Sequence, residues 1–168
     1  MAKKKEIRTN AMRILEREKI PYELRTYECD EFVNAGEIAD LLGLPHEKMY
    51  KTLVTRGKSG GYFVFVIPID EELDLKKAAR SVGEKSVEMI HVKEIFEITG
   101  YIRGGCTAVG MKKQYPVRID QRAEAEGKII VSGGKIGAQI ELLSADLLRA
   151  CQGQYADLCW AGESGDSE

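Results

Sequence analysis

From Tyr62 to Ile67 the chain reads Tyr-Phe-Val-Phe-Val-Ile, a continuous apolar run without alternation. Such a run predicts a strand buried on both faces. The Gly-rich link "RGKSGG" joins it to "MYKTLV" (49–54), which predicts a hairpin. Within "MYKTLV", period-two alternation turns Met49, Lys51 and Leu53 to one face and Tyr50, Thr52 and Val54 to the other. Both faces are largely apolar, yet a lysine stands in the middle of one. A cation in that position calls for a reason.

The remaining periodicities fill in the chain. Ile7, Ala11, Ile14 and Leu15 form a helical stripe that stops before Pro21, and "YELRTY" (22–27) alternates as a short strand. "NAGEIADLLGL" predicts a helix with Asn34 as N-cap, Glu37 three residues on, a buried face of Ile38, Leu41 and Leu42, and Gly43 as its stop. "DLKKAARSVG" predicts another, capped by Asp74, burying Leu75, Ala78, Ala79 and Val82, and ended by Gly83. "KSVEMI" (85–90) reads as a strand and "VKEIFEITG" as a short helix ending at Gly100. The segment "YIRGGCTAVG" carries too many glycines to be regular throughout. "YPVRI" (115–119), "KIIVS" (128–132) and "AQIELL" (138–143) read as strands, the last two joined by "GGKIG", and "SADLLRACQG" as a final helix. Strands outnumber what a βαβ repeat would give, so the expectation is one α+β domain over residues 1–160, with a mixed, curved, barrel-like sheet surrounded by helices. The acidic tail from Ala161 to Glu168 is expected to be disordered.

Composition narrows the function. A chain of 168 residues can bury about 70% of its unfolded surface, so it needs no disulfide or metal for stability. No apolar run nears the ~20 residues that span a bilayer, and "MAKKKEIRTN" lacks the apolar core of a secretory signal. A cytoplasmic protein without a membrane partner is the expectation. Cys29, Cys106, Cys151 and Cys159 form no C-x-x-C pair, and His46 and His91 neighbour none of them, so no zinc site or other cofactor is expected. The net charge of −2 argues against a protein that coats DNA or RNA, but not against one that grips a short piece of it. The clusters Lys3–Lys4–Lys5, Lys76–Lys77–Arg80 and Lys112–Lys113 read as solvated surface, and no aromatic-plus-basic groove is legible.

Neither histidine is placed to serve a nucleophile, and His46 in "LPHEK" reads as a residue of a polar surface turn. No phosphate-loop or dinucleotide fingerprint occurs. Cys106, in "RGGCTAVG", has no evident base. Three features remain: Lys51 inside a strand, the pair Gly104–Gly105, and Ser132–Gly133–Gly134–Lys135 between two strands. Paired glycines let backbone amides approach a ligand closely, and an inward lysine neutralises a phosphate or polarises a carbonyl. Together they describe a pocket for an anionic or carbonyl-bearing ligand. On the residues alone, turns and a lysine reaching for the sheet edge explain them equally well.

The ordered blocks "YKTLV", "ELDLKKAARSVGEKSVEMI", "TGYIRGGCTAVGMKKQYPV" and "IIVSGGKIGAQIEL" resemble the YbaK/EbsC-type aminoacyl-tRNA deacylases, relatives of the editing domain inserted in bacterial prolyl-tRNA synthetases. The resemblance spans about residues 8 to 158. It implies a pocket for the 3′ end of a charged tRNA and the trans-editing removal of cysteine from Cys-tRNA(Pro), and also from Cys-tRNA(Cys). It implies a transient complex with prolyl-tRNA synthetase and no cofactor. The family's critical lysine falls on Lys51, its glycine pair on Gly104 and Gly105, its serine-glycine turn on Ser132, Gly133 and Gly134, and a pocket tyrosine on Tyr27. In the cysteine branch the substrate thiol is expected to attack its own carbonyl, a step that can be classed as hydrolase or lyase chemistry. Two departures touch the amino-acid side: Thr107–Ala108 stands where the family reads Ser-Pro, and an aromatic residue is missing near Asn34, although Phe32 lies close. A water-mediated deacylase for alanine or serine and a non-catalytic aminoacyl-tRNA or synthetase binding module are the alternatives.

Overall fold

The computed structural model describes residues 8–28 and 34–161. The Lys3–Lys4–Lys5 cluster, Ile7, Cys29, Phe32 and the tail from 162 onward lie outside them. The elements in chain order are α1 (Asn10–Arg17), β1 (Glu23–Thr26), α2 (Ala35–Leu42), β2 (Tyr50–Gly57), β3 (Tyr62–Pro68), α3 (Leu75–Val82), β4 (Val87–Met89), α4 (Ile95–Thr99), β5 (Val117–Asp120), α5 (Arg122–Glu126), β6 (Lys128–Ser132), β7 (Ala138–Leu143), α6 (Ser144–Cys151) and β8 (Gln154–Ala156). Single 3-10 turns, His46–Lys48 and Val92–Glu94, precede β2 and α4.

The expected hairpin is present, with Lys51 opposite Ile67 and Val54 opposite Val64. It lies inside a five-stranded mixed sheet of order β4-β2-β3-β5-β8. The later strands add in parallel, β5 to β3 and β8 to β5. A second, antiparallel sheet has the order β1-β7-β6. The sheets do not close into the barrel-like form expected from the strand count. They meet at a single parallel bridge, Met49 to Ile130. Beyond it the edge of β2 away from β3 is uncovered until β4 joins at Thr55–Gly57.

The uninterrupted run in β3 is explained by its two sides. Val64 and Val66 enter the principal core with Met12, Leu15, Ile119, Ile129 and Ile140. Phe63, Phe65 and Ile67 pack on the other side against Ala78 and Ala79 of α3 and against Leu158. A third cluster seats α2 through Ile38 and Ala39 on Met49, Ile69 and Ile130.

The caps follow the sequence closely. Asn34 and Glu37 form a full capping box, Asp74 accepts from the amides of Lys76 and Lys77, and Gly43 and Gly83 end their helices in the left-handed region. Burial departs from expectation at Leu41 and Leu75, which are 63% and 42% exposed. Helix α2 packs through the stripe Ala35, Ile38, Ala39 and Leu42, and Leu41 stands to one side of it. The elements β8 and α5 were not anticipated. At three and five residues they carry too little periodicity to stand out.

Candidate active site

The gap between the two sheets is a cavity of about 580 Å³, within the size range of small-molecule sites. Residues 51–54 of β2 form its floor, and the start of α2, Asn34–Gly36, forms one wall. Met89, Ile90, Val92 and Ile95 make an apolar wall. Arg103, Gly104 and Cys106 close a third side, with Ser132 and Gln139 from the small sheet.

Lys51 is half-buried on this floor, and its Nζ donates to the Ile69 carbonyl at 3.1 Å. Desolvation pulls its pKa below the ordinary lysine value, while the carboxylates of Asp70, Glu72 and Glu71 favour the charged form. The first residues of α2 border the same space, and a helix N-terminus carries positive partial charge. One end of the cavity therefore suits an anion.

The strand itself adds a main-chain donor and acceptor. The Gly57 amide bonds to the Gly61 carbonyl at 2.7 Å and the Ile69 amide to the Met49 carbonyl at 3.0 Å. Antiparallel alternation then turns the N–H and C=O of Thr52 away from β3, toward the edge that β4 leaves uncovered. Thr52 lines the cavity there.

The two glycine segments singled out in the sequence meet each other. A Cβ at Gly105 would lie 2.8 Å from Lys135 Cα and 3.1 Å from the Ile136 amide nitrogen. Only a glycine allows that approach without displacing backbone. The Gly105 amide is engaged with the Ile102 carbonyl at 2.9 Å, and Gly105 does not line the cavity. Gly104, with φ of +87°, does line it. In the facing loop, Ser132 reaches the cavity and its hydroxyl accepts from the Gly134 amide at 3.2 Å. Gly133 and Gly134 lie behind it against α1: Thr9 Oγ1 donates to the Gly133 carbonyl at 2.6 Å, and a Cβ on Gly134 would come within 3.0 Å of the Thr9 side chain.

Of the residues expected at a site, the cavity thus brings together Lys51, Gly104 and Ser132. Gly105, Gly133 and Gly134 hold the loops, and Tyr27 stands outside the lining. The Tyr27 ring packs on the α2 cluster, its amide bonds to the Gly137 carbonyl at 3.0 Å, and its buried hydroxyl has no partner among the described residues.

Two residues at the cavity were missed by sequence reasoning. Gln139 is 4% exposed and lines the cavity, and its side-chain amide makes no hydrogen bond among the described residues. It sits on a strand that reads as ordinary alternation, so only its place in the cavity lining reveals it. Asp70, also in the lining, accepts from His46 Nδ1 at 2.9 Å, and Asp40 accepts from His46 Nε2 at 2.9 Å. Both carboxylates raise the His46 pKa, Asp40 most. His46 thus ties α2 to the cavity rim. Cys106 faces the cavity, but burial pushes its thiol up to about 11. Among the described residues, no cluster of His, Cys, Asp and Glu could hold a metal, and no helix is long and apolar enough to cross a membrane.

A family model for the aminoacyl-tRNA editing domain matches residues 30–150. A protein of Enterococcus faecalis, provisionally named Cys-tRNA(Pro)/Cys-tRNA(Cys) deacylase EbsC, is 46% identical over 162 residues, 94% of this chain and 98% of its own. The proline–tRNA ligase of Fervidobacterium nodosum is 33% identical over 78 residues, which are 46% of this chain and 13% of the ligase. A crystal structure described, again provisionally, as a trans-editing enzyme for prolyl tRNA synthetase superposes with a TM-score of 0.78 at 25% identity, covering 93% of this chain and 100% of the other. The hypothetical protein APE2540 shares the fold, with a TM-score of 0.82 at 24% identity over 90% of this chain and 99% of its own.

Proposed function

Because the chain belongs to the aminoacyl-tRNA editing domain family, we propose that it is a trans-editing deacylase that removes cysteine from mischarged Cys-tRNA(Pro), with Cys-tRNA(Cys) as a second substrate. The observation that carries this reading is the half-buried Lys51 ammonium on the floor of an otherwise mainly apolar cavity that the N-terminus of α2 also lines. Lys51 and the α2 amides hold the negatively charged nucleotide end, and the Gly104 amide meets the ester carbonyl oxygen. Ser132, the Thr52 main chain and Gln139 orient the rest. Gly105, Gly133, Gly134 and Tyr27 keep the two loops in register.

The nucleophile in this reading is the substrate's own thiol. Cys106 is a poor competitor: with its thiol near 11, only about one molecule in 10⁴ is thiolate at pH 7. A free cysteine thiol near 8.5 is a few per cent thiolate. Its sulfur attacks the ester carbonyl, the C–S bond forms, the C–O bond to the ribose breaks, and the thiol proton ends on the ribose oxygen. The product is a thiolactone that water opens to cysteine. Intramolecular attack reaches effective molarities of roughly 10⁵ M or more. Binding alone separates similar small side chains by only ~1–3 kcal/mol. The domain works in the cytoplasm beside prolyl-tRNA synthetase, whose transient contact supplies the tRNA selectivity that a chain of net charge −2 lacks.

The test is a set of tRNAs charged with cysteine, S-methylcysteine, serine and alanine, following ester loss and trapping thiolactone. Cys-tRNA should be cleaved far faster than the nearly isosteric Ser-tRNA, and S-methylation should abolish cleavage. Comparable rates for all esters without thiolactone would replace this mechanism with a water-mediated deacylase. Binding without cleavage of any ester would make the chain a recognition module.

A further inference from the structure

The segment Val92–Ile98 is a wall shared by two clefts. Val92 and Ile95 face the cavity described above, whereas Glu94, Glu97 and Ile98 face a second cleft of about 350 Å³. The strand β2 is also shared. Lys51 lies in the first cleft and Arg56 in the second, about 17 Å further along the strand.

The second cleft concentrates positive charge and aromatic surface in a chain whose overall charge is negative. Arg56, Lys112 and Lys113 line it, against the carboxylates of Glu94 and Glu97. Glu94 is already matched: Arg56 Nη2 donates to it at 3.3 Å and to the Tyr62 hydroxyl at 2.9 Å. The Lys112 ammonium donates to the Glu97 backbone carbonyl at 3.0 Å and lies over the Phe96 ring, 5.6 Å from its centroid. Lys113 is exposed, and its ammonium has no partner among the described residues. Tyr62 and Tyr115 meet edge to face, centroids 5.8 Å apart, which fixes both rings. On the shared wall Val92 and Phe96 are 54% and 59% exposed. No aromatic-plus-basic groove is legible in the sequence; the fold assembles one from positions 56, 62, 112, 113 and 115, with Phe96 beside it under the Lys112 ammonium.

Resting on the deacylase reading, we propose that this cleft binds the single-stranded RNA just before the reacting nucleotide of the substrate. Lys112 and Lys113 hold its phosphodiesters, and Phe96 offers a face on which a base stacks. This pairing of a cationic groove with aromatic platforms is how single strands are held without sequence preference. A strand leaving the first cavity over Val92 and Phe96 enters the cleft directly. The terminal nucleotide is then positioned from two sides, and the contact is indifferent to the tRNA body.

The experiment compares the wild type with the double variant Lys112→Gln/Lys113→Gln on two substrates: full-length Cys-tRNA and cysteinyl-adenosine, a minimal ester that cannot reach the cleft. The expected result is a several-fold higher KM for Cys-tRNA with kcat unchanged, and unchanged kinetics on cysteinyl-adenosine. The slope of log KM against log salt for Cys-tRNA should fall by about 1.4, the value for two single-strand phosphate contacts. Equal losses on both substrates, or an unchanged tRNA KM and salt slope, would overturn the proposal. A second measurement does not depend on catalysis: anisotropy of a labelled single-stranded RNA with a tRNA 3′ end, which the double variant should bind more weakly and with less salt dependence. If the wild type cleaves neither ester, the deacylase reading fails, and the anisotropy still decides the cleft. Equal RNA affinity of the two proteins would refute it.

Discussion

Replacing Lys51 with methionine removes the charge and keeps most of the apolar stem, which makes it the sharpest perturbation of this site. Two opposing contributions set its effect on stability. The hydrogen bond from Nζ to the Ile69 carbonyl, 3.1 Å, is lost; bonds to charged groups contribute about 1.5–3 kcal/mol. Against that, burial lowers the Lys51 pKa even with Asp70, Glu72 and Glu71 nearby, so the folded protein holds this proton more weakly than the unfolded chain does. A depressed lysine destabilises the fold at neutral pH, and the penalty fades only as pH rises from the folded value toward the unfolded value of ~10.4. Methionine removes it. The net change in stability should lie within about 1 kcal/mol, in either direction. Activity should respond quite differently. Loss of one preorganised electrostatic stabiliser typically costs ~10²–10³ in kcat, about 2.7–4 kcal/mol. The assay is single-turnover ester loss from Cys-tRNA, corrected for spontaneous hydrolysis, together with a thermal melt. The wild-type rate should also decline on the alkaline side at a pH below that of a free lysine, and Lys51→Arg, which stays charged, should lack that decline in whatever activity it retains. A folded Lys51→Met protein with turnover within tenfold of wild type would refute the role assigned to the cation.

Three other substitutions follow from the geometry. Gly105→Ala forces a Cβ to within 2.8 Å of the Lys135 backbone; it should lower stability by ~1–3 kcal/mol and activity with it, and an unchanged melting temperature would mean that the loops do not need this contact. Gln139→Leu removes a polar side chain from the cavity lining; it should leave the fold as stable or more so while kcat/KM falls, and full activity would remove Gln139 from the site. His46 titrates above its ordinary value because Asp40 and Asp70 favour the imidazolium. The stability it contributes is therefore complete below about pH 6.5 and lost as pH rises through the higher folded pKa. His46→Gln should flatten the stability profile over that window, and denaturant melts at a series of pH values that left the profile unaltered would exclude the coupling.

The sequence by itself determined what is local. The hairpin of β2 and β3 is encoded by two apolar runs and a glycine-rich link, and the caps of α2 and α3 by Asn34, Glu37 and Asp74, because turn and cap chemistry depends on neighbours within a few residues. Lys51 was conspicuous for the same reason: alternation places its cation on an apolar face, whatever lies opposite. Tertiary structure alone decided what depends on distant partners. Closure of a sheet is a property of strand pairing, and Met49, just before β2, meets Ile130 of β6 at one bridge, 81 residues away in the chain, after which the strands diverge, so the expected barrel is instead a gap that holds the site. The glycines show the division most clearly. Their pairing at 104–105 and 133–134 announced close backbone approach, but a glycine pattern cannot say what approaches. In the fold Gly105 meets the backbone of Lys135, Gly134 meets Thr9, and only Gly104 of the four lines the cavity. Gln139 and the basic cleft around Lys112 were silent in the sequence because a place in a cavity lining and a cluster of charges are relations between chain segments. The first comes into existence only when β7 meets β2 across the cavity, the second only when β2, α4 and the segment carrying Lys112–Lys113 fold against one another.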